Sequence, residues 1–381
     1  MAVAAASADR PATRLSTRLA FFVAGFGVSC WAPLVPYAKA RLGADDATLG
    51  VILLCLGIGS VTAMPLTGSF AHRYGARRMI LLGGFGLCVM LPFLASVASV
   101  AALAAAMLLF GASLGTLDVS MNVHAIEVEN AADAPLMSGF HAQFSVGGIA
   151  GASAITALLA AGIAPQPAVG LGVAAMVLLL AIAAPRLLAT PSSGGGLLLA
   201  WPRGVVLLLG LLACAMFLVE GAILDWGALL LTEHRGFAKA SGGIGYSLFS
   251  IAMSAGRLTG DRVVAWLGGR RTLQLGGAVA IAGFVIVLAT RAPALVLAGF
   301  VLIGLGASNL VPVLFSAAGR QAAMTPALAV GAITTLGYAG ALAGPALVGF
   351  VAQATSLPIA FTALALLVAA LPLTAKMVPT K

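Results

Sequence analysis

Long apolar runs constrain the fold of this chain more than any other feature. They recur from end to end of the 381 residues, and each is long enough for a helix to cross the roughly 30 Å hydrocarbon core of a bilayer. Only 8% of the residues are charged, whereas a soluble domain carries about 25%. Transmembrane barrel strands would be short segments of alternating polarity, and these runs are not. The sequence therefore predicts an all-α membrane protein that contacts a lipid bilayer.

Twelve membrane spans are predicted, in two sets of six. The first set lies at about 17–38, 46–71, 77–96, 99–124, 135–162 and 166–186, and the second at about 204–232, 241–265, 271–290, 293–318, 326–351 and 355–375. The segment between them is rich in Pro, Ser and Gly, which disfavour a helix. The predicted organisation is a tail, a six-helix half, a linker and a second half, at 1–16, 17–186, 187–203 and 204–376.

The distribution of Lys and Arg predicts the orientation. With the N-terminus placed in the cytoplasm, 15 of the 20 basic residues, Arg257 among them, fall on the cytoplasmic side and 5 on the far side. Such a bias predicts that both termini are cytoplasmic. The net charge of +9 therefore reflects charges at helix ends. No basic patch with interleaved aromatic residues indicates a nucleic-acid partner. We expect a monomer in a bacterial inner membrane.

The sequence shows no signature of a metal site, a cofactor or an enzyme. The four cysteines stand singly in apolar runs, without metal-ligand spacing, which favours buried structural roles. A nucleophile elbow and a nucleotide-binding loop are both lacking. We therefore expect no metal and no cofactor.

Two related segments mark the same position in each half. Gly68-Ser-Phe-Ala-His-Arg-Tyr-Gly-Ala-Arg-Arg78 is predicted to link the second and third spans, and Gly256 to Arg271 the eighth and ninth. Each has a glycine followed by basic residues. Two six-span halves joined by a linker are typical of transporters that rock around a central site.

The first of these segments resembles the loop motif of the major facilitator superfamily. The matching residues are Gly68, Ala71, Arg73, Gly75, Arg77 and Arg78. His72 stands where the family usually has Asp, whose charge pairing helps to hold the outward-open state. The second segment keeps an acid and a base, which we interpret as the second copy of the motif, with Gly256, Asp261 and Arg262 as its key residues. The resemblance implies two pseudo-symmetric six-helix halves that alternate access to a central site.

The fourth and tenth spans are similar to the fucose-permease-like branch of that superfamily. Asp118 and Asn122 have the branch's acid and Asn four residues apart, and Gly306-Ala-Ser-Asn-Leu-Val-Pro-Val-Leu-Phe-Ser316 resembles its tenth-span pattern. The similarity implies sugar:proton symport. The branch also carries an acid in the first span, and this chain has none there.

Asp118 is the leading candidate for proton coupling. On a helix it shares one stripe with Gly111, Gly115 and Asn122. A carboxylate within a membrane span is costly unless it faces a bundle interior or a watery cavity, so the stripe is either an ion or solute site or a structural polar pair. His141 is expected at similar depth in the fifth span, as a proton relay or as a histidine bonded to a neighbouring carbonyl. Glu220, in the middle of the seventh span, is the third candidate.

Seven polar or aromatic residues are candidate contacts for the solute. In the first half they are Trp31, Asn122 and Gln143, and in the second half Asp225, Trp226, Asn309 and Tyr338. Aromatic side chains of this kind either stack on flat ligands or anchor a span at the interface. Asn309 and Tyr338 either line the cavity or make interhelical hydrogen bonds, and Asp225 is either a gate or an interfacial residue.

The predicted function is proton-coupled symport of a small polar, sugar-like solute. Since the same site runs in both directions along its gradients, a proton-coupled exporter of metabolites or drugs is the alternative. A third hypothesis is a membrane sensor that has the fold of a transporter but does not transport.

Overall fold

The computed structural model describes residues 11–44, 46–189, 201–237 and 244–380, and within these ranges the chain forms helices and no β-strand. The predicted tail 1–16 lies outside the described residues up to Arg10, and the rest of it is helical. The first-half helices are α1 (Pro11–Ser29), α2 (Val35–Leu42), α3 (Asp46–Tyr74), α4 (Ala76–Ser96), α5 (Val100–Ala132), α6 (Met137–Ala160) and α7 (Pro165–Ala183). The second-half helices are α8 (Val205–Leu229), α9 (Ile244–Leu267), α10 (Gly269–Ala289), α11 (Pro293–Ala307), α12 (Leu310–Arg320), α13 (Pro326–Ala354) and α14 (Leu357–Thr374).

The all-α membrane fold is confirmed. Eleven described helical segments are long and apolar enough to cross a membrane, and α9 corresponds to the remaining predicted span. Two boundaries were wrong. The first helix begins at Pro11 rather than near 17, and α5 runs eight residues beyond the predicted end at 124. The last part of α5 carries several polar side chains, so its hydropathy is too low to predict that the span continues.

Two predicted spans are interrupted, and proline explains both breaks. The ring of a proline clashes with the carbonyl group four residues before it and removes an amide donor. Helix α1 ends at Ser29, four residues before Pro33, and a short 3-10 turn (Ala32–Leu34) follows. In the tenth span the helix stops at Ala307 and resumes at Leu310. Pro312 comes four residues after Ser308, so the carbonyl with which its ring would clash belongs to a residue in the gap between the two helices.

The two segments of the paired motif overlap the helices that they link, and most of their residues are helical. Helix α3 continues to Tyr74 and α9 to Leu267, so the chain turns at Gly75 and Gly268 alone. Both glycines have positive φ, 87° and 76°, which a residue with a Cβ atom rarely adopts. The turn at Gly268 lies in the predicted gap between the eighth span, which was placed at about 241–265, and the ninth, placed at about 271–290.

The chain divides into two compact units. The first contains 1–133, 140–201 and 325–335, and the second contains 134–139, 202–324 and 336–381. In the first unit, Gly111 lies against the carbonyl of Leu56 and Gly83 against the backbone of α5 near Leu117. These glycines permit the close backbone approach of α3, α4 and α5.

The second unit repeats this packing at a constant spacing of 193 residues. Gly304, which is 193 residues after Gly111, lies against the carbonyl of Phe249, and Phe249 is 193 residues after Leu56. Gly276, 193 after Gly83, lies against the carbonyl of Gly306. Because the contacts repeat together with the residues, the two units share one internal architecture.

Candidate functional site

Three polar side chains of the first unit form a hydrogen-bonded chain. Asn122 Nδ2 donates to the backbone oxygen of Asp118 at 2.9 Å and lies 3.3 Å from its carboxylate Oδ1. Asn122 Oδ1 lies 3.2 Å from Nε2 of His141 on α6. The sequence predicted that Asp118 and His141 are near each other, and the structure places Asn122 between them. An amide that donates to the acid and accepts from the imidazole links the two titratable groups.

This chain of side chains lies in a buried, largely apolar environment. Asp118 is 8% exposed and Asn122 is fully buried, while His141 is half-buried. The ring of Phe21 on α1 lies 5.3 Å from the His141 ring, measured between centroids. Charge on a buried carboxylate is costly unless it is paired or neutralised, and the amide of Asn122 lies within hydrogen-bond distance of this one.

His124 has a different role from His141. The backbone N–H of Leu188 donates to His124 Nε2 at 2.9 Å, so that nitrogen carries no proton. Thr17 Oγ1 donates to the carbonyl of Thr13 at 2.9 Å and lies 3.2 Å from His124 Nδ1. The Nδ1–H group therefore donates to Thr17. Both ring nitrogens of His124 are hydrogen-bonded in its neutral form, which indicates a structural role.

The remaining first-half candidates lie apart from this chain. Trp31 sits where α1 ends, is 5% exposed, and its indole Nε1 has no hydrogen-bond partner among the described residues. A buried indole N–H normally has one. Gln143 is half-buried, but a spacing of two residues turns it away from His141 on α6.

A second polar cluster lies within the second unit, between α8, α9 and the break after α11. Arg257 Nη2 lies 3.7 Å from Glu220 Oε2, and the two side chains are 10% and 40% exposed. Arg257 Nε donates to the backbone oxygen of Ser308 at 3.3 Å. Arg257, which the charge bias assigns to the cytoplasmic side, lies within α9, ten residues before the helix ends at Leu267, and is buried.

Asn309 and Tyr338 make contacts within the second unit. Asn309 Nδ2 donates to the carbonyl of Gly256 at 3.2 Å, an interhelical hydrogen bond. Asn309 Oδ1 is buried with no partner among the described residues. The Tyr338 ring lies edge-on to Phe217, 5.8 Å away between centroids.

Asp225 and Trp226 lie toward the end of α8. Asp225 is exposed and Trp226 is half-buried. Trp226 lines a surface cavity of about 540 Å³ with Ala346, Gly349, Phe350, Ala352 and Gln353. Asp225 follows Glu220 by five residues on the same helix, and both acids and Arg257 lie close enough to Tyr246 to act on it electrostatically.

The first copy of the loop motif packs against the start of α13 within the first unit. Gly68 faces the carbonyl of Ala327 and the Cα of Gly331, and a Cβ atom at this position would contact both more tightly than is usual. His72, one turn further on, is 3% exposed with neither ring nitrogen bonded among the described residues. Arg73 lies over the Tyr74 ring, 5.3 Å from its centroid. Arg77 is half-buried and Arg78 is exposed.

The second copy makes the corresponding contact with an acid. Asp261 Oδ1 accepts a hydrogen bond from the backbone N–H of Gly139 at 3.0 Å, within the second unit. The 193-residue spacing places Asp261 opposite Gly68 rather than opposite His72. Arg262 is exposed. A carboxylate at the first turn of α6 is favourable because the amide groups there lack helical partners.

The internal repeat separates residues of the scaffold from residues peculiar to one half. The residues 193 positions from Asp118, Asn122 and His141 are Val311, Phe315 and Thr334. Those 193 positions before Glu220 and Arg257 are Gly27 and Met64. The same architecture is thus built without an acid, imidazole or guanidinium group at these positions, which argues against a purely structural role.

Sequence reasoning missed Arg257 and also two arginines outside the spans. Arg41 donates to the carbonyls of Leu94, Ala95 and Val97 at 2.8–2.9 Å. Arg235, 194 residues later, donates to those of Val287 and Leu288 at 2.6 and 3.0 Å. Burial lowers the pKa of both guanidinium groups. The repeat spacing was the signal that could have revealed this pair.

No group of three or more His, Cys, Asp or Glu side chains in the described ranges is placed to hold a metal ion. The chemistry available here is proton exchange at carboxyl and imidazole groups and the binding of polar solutes.

Comparison with known proteins identifies relatives over nearly the whole chain. The sequence model of the Major Facilitator Superfamily matches residues 18–345. An MFS-type transporter of Yersinia pestis is 49% identical over 355 residues, covering 93% of this chain and 92% of the relative. The solved structure of the transporter FucP in its outward conformation has a TM-score of 0.79 at 15% identity, covering 98% of this chain and all of FucP. The human organic anion transporter MFSD10 has a TM-score of 0.76 at 17% identity, covering 97% of this chain and all of MFSD10.

Proposed function

Because this chain belongs to the Major Facilitator Superfamily and is an integral membrane transporter, we propose that it couples the uptake of a small polar solute to protons. The two halves would expose the site alternately to the two sides of the membrane. Asp118 carries the proton, and His141 and Glu220 assist it. Both termini lie in the cytoplasm of a bacterial cell, and the transporter works as a monomer in the inner membrane.

The hydrogen-bonded chain of Asp118, Asn122 and His141 carries this proposal. It joins a buried acid to an imidazole through one amide, and the second half has no counterpart of it. A proton that neutralises Asp118 removes a charge from a buried site. Binding of a proton to Asp118 therefore changes the charge of the site, and this change would couple proton binding to solute transport.

The sugar-like character of the solute is supported by the fold neighbour of known activity. FucP of E. coli is a fucose:proton symporter, and the acid and Asn of the fourth span resemble its branch. Polar candidate contacts lie on both halves, with Asn122 and Gln143 on one and Asn309 and Tyr338 on the other. Trp31 offers an aromatic surface and a donor for a hydroxylated ring.

The test is solute-driven proton movement in proteoliposomes that contain the full-length protein and an internal pH-sensitive dye. Fucose and other neutral monosaccharides are the first probes. Asp118→Asn should abolish uphill accumulation and proton uptake, while solute exchange across equal concentrations continues. Ser120→Ala is the matched control, because Ser120 is buried two residues away and bonds only to carbonyls of its own helix. Uphill accumulation by Asp118→Asn at the parent rate would refute the assignment, and solute movement without protons would refute the coupling.

A further inference from the structure

We propose that a groove between α4 and α5 binds an anionic phospholipid, with one acyl chain along the groove and the phosphate group at Arg78. The groove lies within the first unit alone. The inference goes beyond the proposed function, because a bound lipid is a partner of the protein and not its transported solute.

The groove is a surface cavity of about 740 Å³ between two neighbouring spans. Helix α4 contributes lining residues from Arg78 to Met90, and α5 contributes them from Leu109 to Thr116. Gly83, Gly86 and Ala112 are among these residues. Small side chains at a helix crossing leave space that larger ones would fill, so the composition of the two helices explains the cavity.

The length and position of the groove match one leaflet of a bilayer. The twelve residue steps from Arg78 to Met90 rise about 18 Å on a helix at about 1.5 Å per residue. Half of the hydrocarbon core of a bilayer measures about 15 Å. Arg78 is the third residue of α4 and lies at the end of the span. The groove therefore extends from one membrane surface to about the middle of the bilayer.

The walls of the groove suit a hydrocarbon chain. The side chains of Leu82, Val89 and Leu109 line it and are 62%, 54% and 51% exposed. Apolar side chains that are exposed on a membrane span face the hydrocarbon of the bilayer. An acyl chain in the groove would contact them over its whole length.

The two hydroxyl groups that line the groove are engaged within the protein. Ser113 Oγ donates to the carbonyl of Leu109 at 2.8 Å, and Thr116 Oγ1 accepts a hydrogen bond from Thr67 at 3.2 Å. A hydrocarbon chain can therefore lie against both groups without depriving either hydroxyl of these bonds. A polar solute would gain little from the same walls.

The charge at the end of the groove suits a phosphate group. Arg78 is exposed, and its guanidinium presents donors in a rigid fork that matches phosphate geometry. Basic residues at a membrane surface attract anionic lipids. An arginine at the surface and an apolar groove below it have the same order as the headgroup and the acyl chain of a phospholipid.

The internal repeat shows that the architecture does not require these small residues. Val279 and Leu305 stand 193 residues after Gly86 and Ala112, and both are exposed. Arg271 stands 193 residues after Arg78 and is also exposed. The second unit thus keeps the arginine and has branched side chains at the two positions where the first unit leaves space.

The test measures lipid binding to the purified full-length protein in detergent by native mass spectrometry. The probes are phosphatidylglycerol and phosphatidylcholine with the same acyl chains. One phosphatidylglycerol should bind about fivefold more tightly than phosphatidylcholine, the effect of one arginine on an anionic lipid. Glycerol 3-phosphate, which has the anionic group without the chains, should not displace it.

Two variants test the two parts of the site. Arg78→Gln should remove the preference for phosphatidylglycerol, and Arg271→Gln, at the equivalent exposed position of the repeat, should keep it. Ala112→Leu introduces the residue of the second unit and should weaken the binding of both lipids several-fold, because it fills the space of the chain. Ala363→Leu, at an exposed position of α14, is the control and should bind both lipids as the parent does.

Three outcomes would overturn the proposal. Equal affinity for the two lipids would show an ordinary lipid annulus without a headgroup site. Equal losses of preference in Arg78→Gln and Arg271→Gln would show a general effect of charge. A protein dimer that Ala112→Leu abolishes, without any bound lipid, would show that a second copy of the chain occupies the groove.

Discussion

Arg41 and Arg235 perform the same structural task in the two halves. Each lies outside the long spans and donates to the terminal carbonyls of a helix, α4 for Arg41 and α10 for Arg235. Those carbonyls have no partner within their own helix, and the cation also interacts favourably with the negative end of the helix. The orientation predicted from the sequence places both arginines among the five basic residues on the far side of the membrane.

Removing either guanidinium should destabilise the protein to a similar extent. We expect Arg41→Gln and Arg235→Gln each to lower the free energy of unfolding by about 2 kcal/mol, because charged hydrogen bonds to carbonyls are lost. Thermal unfolding in detergent measures this. Arg291→Gln is the control, since Arg291 is exposed and its positive charge repels that of Arg235. Equal melting temperatures for all three variants would contradict the assigned role.

His124 and His141 should respond differently to substitution. His124→Phe leaves the buried Leu188 N–H without its acceptor and removes the donor to the Thr17 oxygen, so we expect a loss of about 1–3 kcal/mol of stability. The pH profile of transport should stay unchanged, because a fully bonded neutral imidazole takes no part in proton exchange.

His141→Phe should instead alter the pH profile and cost less stability. Parallel thermal-shift and transport measurements between pH 5 and pH 8 distinguish the two histidines. A shifted pH profile in His124→Phe at unchanged stability would show that the structural assignment is wrong.

At the scale of helices, glycine sets how closely the spans approach. A Cβ atom on Gly111 would collide with the carbonyl oxygen of Leu56, and one on Gly304 with that of Phe249. Backbone atoms cannot move away as a flexible side chain can. Because membrane helices associate largely through van der Waals packing, small residues at such crossings are essential.

Alanine at either glycine should therefore destabilise the fold. We expect Gly111→Ala and Gly304→Ala each to cost about 1–3 kcal/mol, the typical penalty of overpacking. Gly170→Ala is the matched control, as it lies within α7 with open space around it. That change should stabilise the helix by about 0.5–1 kcal/mol. Retention of the parent melting temperature by both crossing variants would refute the packing argument.

At the scale of the whole molecule, the charge bias predicts the orientation of the protein in the membrane, and this orientation can be tested. In a variant without the four native cysteines, Lys376→Cys and Gln166→Cys each introduce one exposed thiol. A membrane-impermeant maleimide added to intact cells should label Gln166→Cys only, because the charge bias places the C-terminus in the cytoplasm.

Permeabilised cells provide the control for this labelling. There, both thiols should react, which shows that each is accessible in the folded protein. Labelling of Lys376→Cys in intact cells would reverse the predicted orientation.

The sequence predicted most of the architecture because hydropathy acts residue by residue. Each apolar run is long enough to span a bilayer whatever its neighbours are, so the spans could be recognised without a tertiary structure. The prolines at 33 and 312 can be read from the sequence as residues that disfavour a continuous helix. The end of α5 was missed because tertiary burial overrides the polar character of its last residues.

The site depended on contacts that hydropathy does not encode. The sequence alone determined that Asp118 and Asn122 share a helix face and that Glu220 lies within a span. Only the tertiary structure decided that Asn122 joins Asp118 to His141, that His124 is fully bonded elsewhere, and that Arg257 faces Glu220. The physical reason is that the partner of a buried polar group is set by which helices pack together, and that choice depends on glycine crossings far along the chain.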